Sequence, residues 1–186
     1  MKKQMICITG NVAVGKSEVA KKIATTLEWN IYKASQAFRE KAREMNMSLV
    51  DFCMYVEAHP EIDKQIEETT KMVVANNDKL VVDARLGFYL APNSFKVYMT
   101  SDIEVAAERL LLASKTRGEE EEYSSLEEVR EAITLREETE RNRYIKLYGV
   151  DIYDMSQYDF VIDTTNLSSS EVAEKIIEAY RKWEGV

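Results

Sequence analysis

Residues Gly10 to Ser17 read GNVAVGKS, a G-x-x-x-x-G-K-S pattern whose successive backbone N–H groups can converge on an anion. Gly10 and Gly15 permit the tight turn, and a helix opening at Lys16 adds the positive end of its dipole. The loop Gly10, Asn11, Val12, Ala13, Val14, Gly15, Lys16 and Ser17, with Glu18 behind it, is therefore a candidate cradle for the phosphates of ATP. Lys16 has the reach for the β and γ phosphates, and the Ser17 hydroxyl suits an Mg2+ ion whose other ligands are phosphate oxygens and water. Glu18 stands beside the cradle, so its carboxylate is expected to point away or to be neutralised.

A second group lies in KLVVDAR, Lys79 to Arg85. The apolar run ending in Asp83 puts a carboxylate at the C-terminal end of a strand, where open α/β sheets bind ligands and where an acid can complete a magnesium shell. Arg85 follows two residues later, and the alternative is a structural ion pair. A third group lies on a long helix from Leu126. Its apolar stripe begins Leu126, Val129, Ile133, and the same spacing then lands on Arg136, Glu140 and Arg143 before Leu147. Inward arginines are costly unless an anion meets them, so Arg136 and Arg143 are expected to face a transferring phosphoryl group. A surface pair between Arg136 and Glu140 is the plainer alternative.

Strand-like and helical segments alternate along the chain, which predicts a parallel sheet covered by helices. Strands are expected near 4–9, 30–33, 79–83, 95–99 and 159–163, and helices near 16–28, 35–45, 48–57, 61–76, 102–115, 124–148 and 169–183. A chain of 186 residues can bury one substantial core, and a single domain over 1–186 is expected. The net charge of −8 and the lack of a long basic stripe argue against nucleic acid as a partner. No apolar run is long enough for a bilayer and no signal-peptide pattern opens the chain, so a cytoplasmic protein with no membrane partner is expected; a monomer is expected as well. Cys7 and Cys53 read as small buried apolar residues in a reducing compartment.

The segments GNVAVGKS, AFREKAREMNMSLVDF, HPEIDKQIE, VVDARLG, LREETERNRYIKLYGVDIYD and YDFVIDTTNLSSSEV resemble the cytidylate kinases, particularly the short archaeal type, over nearly the whole chain. The resemblance implies a three-layer P-loop kinase fold in the α/β class: a five-stranded parallel sheet, an acceptor-binding helical region at 34–76 and a lid at 113–125. It implies ATP-dependent transfer to a nucleoside monophosphate, with CMP or dCMP as acceptor. Carried over by motif, Arg39 is the acceptor-phosphate arginine with Arg43 as support, and Arg85 meets the acceptor base or phosphate. Arg136, Glu140 and Arg143 engage the acceptor sugar and the migrating group, with Lys16, Arg136 and Arg143 catalytic, and Arg109 stacks on the donor adenine. The chain departs from the family pattern at Ser35 and Ala84, where Gly is usual, and carries Ala13 in the loop and an acidic stretch, Glu119 to Glu122, in the lid. His59 before Pro60 reads as structural. Another small-molecule kinase of the same fold (shikimate, gluconate or nucleoside), or a nucleotide-binding regulator without transfer activity, remains the alternative.

Overall fold

Met5–Gly10 is buried at every position, as a strand covered on both faces must be. In the computed structural model, which describes residues 4–47, 49–117 and 123–185, this strand (β1) lies at the centre of a parallel sheet. The others are β2 (Asn30–Lys33), β3 (Leu80–Asp83), β4 (Phe95–Thr100) and β5 (Phe160–Asp163), in the order β2-β3-β1-β4-β5. The helices are α1 (Lys16–Leu27), α2 (Ala34–Glu44), α3 (Leu49–Ala58), α4 (Pro60–Asn76), α5 (Gly87–Leu90), α6 (Ile103–Arg117), α7 (Leu126–Tyr148) and α8 (Ser169–Glu184).

The alternation of β1 divides the core. Ile6 and Ile8 pack with Val19 and Ile23 of α1 and Val172, Ile176 and Ile177 of α8, whereas Met5 and Cys7 pack on the opposite face with Val74 of α4 and Ala91. Each fully buried aliphatic side chain contributes about 1.5–3 kcal/mol, so this centre fixes β1 firmly. Cys7 is fully buried and free, and burial pushes its thiol up to about 12. The side chain of Cys53 lies outside the described residues.

Helices α2, α3 and α4 share a separate small cluster of Ala42, Phe52, Val56, Ile62 and Ile66. His59 belongs to this framework: its ring stacks on Tyr55 at 3.8 Å and its Nδ1 lies 2.8 Å from the Tyr55 carbonyl. The long α7 begins at a Ser125 cap that accepts from the Glu128 N–H and ends at Gly149, whose φ of 68° is left-handed. It packs Val129 and Ile133 against Ala106 and Ala107 of α6 and against Val12.

Every expected strand and helix is present within a few residues. The additional α5 and a short 3-10 turn at Met155–Gln157 span one turn each, too short to show a period. Helix α6 continues to Arg117, so the first residues of the expected lid loop are helical. The acidic stretch Glu119 to Glu122 lies outside the described residues. Among those described, no helix is long and apolar enough to cross a membrane.

Candidate active site

Register brings the chemistry to one sheet edge. Ile8 pairs with Asp83 and Gly10 with Met99, so the ends of β1 and β3 and the loop after β1 open on the same side. Gly10 approaches β4 so closely that a Cβ there would fall 2.2 Å from the Met99 carbonyl oxygen, and no larger residue fits. Gly15 at φ 85° and Ala13 at φ 60° complete the turn into α1. Ala13 holds a left-handed conformation that ordinarily costs a residue with a Cβ about 1–2 kcal/mol.

Lys16 folds back over this loop and donates to the carbonyls of Gly10, at 3.0 Å, and Asn11. Burial and the neighbouring Arg85 guanidinium pull its ammonium down to about 7. Ser17 donates to the Asp83 carboxylate at 2.6 Å, which sets two hard oxygen ligands side by side at the head of α1. Among the described residues no group of three or more His, Cys, Asp or Glu could hold a metal unaided. This pair therefore fits an Mg2+ ion whose remaining ligands come from phosphates and water. Glu18 points away from the loop and lies 3.9 Å from Lys22.

Helix α7 supplies the opposing wall. Glu140 is largely buried, 12% exposed, and sits between two guanidinium groups: Arg85 Nε at 2.9 Å and Arg136 Nε at 3.1 Å. Burial raises the Glu140 carboxyl, but Arg85 and Arg136 outweigh that and hold it below its usual value. Arg85 also donates to the Gly10 carbonyl, tying the end of β3, the start of the loop and α7 together. Arg143, one turn further on, pairs through Nε with Asp63 of α4 at 3.4 Å.

The phase of α7 differs from the sequence expectation. Its inward positions are Val129, Ile133, Glu137, Glu140 and Tyr144. At about 100° per residue these span an arc of about 80°, and Arg136 and Arg143 fall just beyond one edge of it. Arg136 is accordingly 59% exposed, on the flank rather than the centre of the inward face, and Arg143 turns to α4 rather than to Lys16. The side chain that reaches the loop is Glu137, at the opposite edge of the arc, which sequence reasoning missed. Its carboxylate accepts from the Val12 N–H at 2.7 Å and from the Asn11 side-chain amide at 3.0 Å, docking α7 onto the loop. The signal available was the step of four from Ile133, which reaches Glu137 as readily as a step of three reaches Arg136.

Arg109 donates to the Thr164 hydroxyl at 3.1 Å and the Thr164 carbonyl at 2.8 Å, bracing the turn after β5. Arg39 and Arg43 are exposed on α2. Ser35 is also exposed on α2, while Ala84 is buried and its carbonyl accepts from the Thr9 hydroxyl at 3.1 Å.

The parallel sheet in this order, the loop between β1 and α1, and an acid at the end of β3 define the class of P-loop kinase folds. A shikimate kinase from Bacteroides thetaiotaomicron shares this fold, with a TM-score of 0.63 at 13% identity over 98% of this chain and 99% of that one. Sequence narrows the class. Residues 5–166 match the cytidylate kinase-like family. The chain is 34% identical to a cytidylate kinase of Thermoplasma acidophilum over 90% of its length and 87% of that protein. It is 36% identical to a cytidylate kinase of Pyrobaculum neutrophilum over 90% of its length and 87% of that protein. The chain belongs to the cytidylate kinase-like family.

Proposed function

We propose that this protein is a kinase that transfers the γ-phosphoryl group of ATP to the phosphate of CMP or dCMP, and that it works in the cytoplasm as a monomer. The observation that carries the reading is the convergence of Lys16, Arg85 and Arg136 around Glu140 beside the phosphate-binding loop, in a chain of this family. The loop N–H groups from Gly10 to Ser17 bind the donor phosphates, and Arg109 borders the adenine. Ser17 and Asp83 would hold Mg2+, which when bound would neutralise charge on the donor phosphates. Arg39 and Arg85 receive the acceptor from the 34–76 region, and Glu140 meets its sugar.

The acceptor phosphate is already ionised, so the transfer needs no strong general base. Placement and electrostatics dominate. Lys16 leaves its carbonyl partners for the β and γ phosphates, and Arg136 and Arg143 swing from the flank of α7 to the phosphoryl group in flight as the 113–125 lid closes. Holding Arg85 and Arg136 on Glu140 before substrates arrive keeps two cations near the reaction centre at low cost.

An ADP-release assay with CMP, dCMP, UMP, AMP and shikimate side by side tests the reading. Release dependent on CMP or dCMP is expected. Release driven by shikimate alone, or none with any acceptor, would refute it.

A further inference from the structure

Between α4 and α7, behind the arginines just described, buried polar atoms face one another without adequate partners. Asp63 and Glu67 lie one turn apart on α4, 5% and 8% exposed, and a single guanidinium, Arg143, answers both carboxylates. Glu67 Oε2 and the Tyr148 hydroxyl are buried with no hydrogen-bond partner. Arg143 Nε, 3.4 Å from Asp63, forms an ion pair without hydrogen-bond geometry. Tyr32, on β2, engages Thr70 through its hydroxyl at 3.1 Å and so does not satisfy Glu67. Burial and Asp63 together push the Glu67 carboxyl up to about 7, as expected for a second carboxylate with too little compensation.

Buried polar groups are ordinarily paired, and an unpaired one costs about 1–3 kcal/mol, so a cluster of this kind calls for a ligand. Its chemistry is specific. Two carboxylates against one arginine repel a phosphate and accept N–H donors. Among pyrimidines, cytosine presents an exocyclic amine where uracil presents a carbonyl oxygen, and a carboxylate accepts from the first and repels the second. We infer that Asp63 and Glu67, with the Tyr148 hydroxyl, form a subsite that reads the exocyclic amine of a cytosine acceptor, a role that rests on the transfer reaction proposed above. Arg143 acts here as a positioning residue: its Nε steadies Asp63 while its guanidinium lies over the Tyr144 ring, 5.1 Å from the centroid. Sequence position does not show which groups meet Asp63, because the carboxylates sit on α4 and the opposing groups about 80 residues later on α7.

The test measures kcat/KM of the wild type for CMP, for UMP and for the pyrimidinone nucleotide in which hydrogen replaces the amine, then repeats CMP and UMP with Asp63→Asn and Glu67→Gln. The subsite predicts at least a tenfold loss for both UMP and the pyrimidinone nucleotide in the wild type. It also predicts at least a tenfold fall in the CMP to UMP ratio in either variant, with the KM for ATP unchanged. Equal use of CMP and the pyrimidinone nucleotide would overturn it even if neither variant folds, because that comparison changes only the ligand. A retained CMP to UMP ratio in folded variants would overturn it too, leaving a structural ion pair. Transfer to no pyrimidine monophosphate at all would remove the kinase reading and this subsite together, an outcome distinct from the other two.

Discussion

In the reaction proposed above, the donor side grips with backbone N–H groups on a loop anchored by the main core, whereas the acceptor side relies on side chains from helices that pack on a small cluster of their own. The loop after β1 is set by Ile6 and Ile8 beneath it and by the close approach of Gly10 to Met99. Its geometry is nearly independent of which side chains project from it. Across the cleft, Asp63, Glu67, Arg143 and Glu140 are positioned by the relative placement of α4 and α7, joined there by an ion pair rather than by a common apolar core. A phosphate needs only converging N–H groups and charge, while a base needs directed donors and acceptors. The two construction methods match these two demands.

Substitutions at the donor loop should therefore strike turnover and spare the fold. Lys16→Ala is expected to lower kcat by about 10²–10³-fold, the range for losing a preorganised charge at a transition state. Its melting temperature should stay close to the wild type, and unchanged turnover in steady-state assays would break the comparison. Arg136→Ala should cost about 10–100-fold in kcat while changing stability by less than about 1 kcal/mol, because Arg136 is exposed and the buried Glu140 keeps Arg85 as a partner. A large drop in melting temperature with normal turnover would instead make Arg136 a structural partner of Glu140.

The sign of the Lys16 shift sharpens the donor side further. Its ammonium titrates at about 7 in the free protein, and bound polyphosphate favours the charged form. ATP binding above pH 7 should take up a proton, so affinity falls between pH 7 and pH 9 by up to about tenfold per pH unit. Calorimetry in buffers of different ionisation enthalpy reads this directly, and a pH-independent affinity with buffer-independent heat would contradict it. Where the two sides meet, Glu137→Ala leaves the Val12 N–H and the Asn11 amide unpartnered and should destabilise the unliganded protein by about 1–3 kcal/mol in denaturant unfolding. No loss would mean that α7 is not docked through this carboxylate. The smallest effect is expected at Ala13→Gly, which relieves a left-handed Cβ and should stabilise by about 0.5–1 kcal/mol with turnover unchanged.

The same contrast explains what could be read from the amino-acid sequence. The strand, loop and helix around GNVAVGKS, and the buried run ending in Asp83, are local patterns, and both stand where the pattern placed them. Helix α7 was legible as a helix but not in its phase, because Val129 and Ile133 fix the inward arc only loosely over the next three turns. The contacts of Glu137 with the loop and of Tyr144 with Leu86 and Tyr98 select these two over Arg136 and Arg143, and such contacts are tertiary. The pairing of Asp63 with Arg143 joins residues 80 positions apart on two helices, with no spacing rule to announce it.

The most direct test of the kinase reading follows the fate of the phosphoryl group itself. The purified protein is incubated with γ-labelled ATP, magnesium and CMP, and the products are separated. The label is expected in CDP, with CMP consumed one for one with ADP formed. Label released as inorganic phosphate, or retained in ATP while CMP persists, would contradict it.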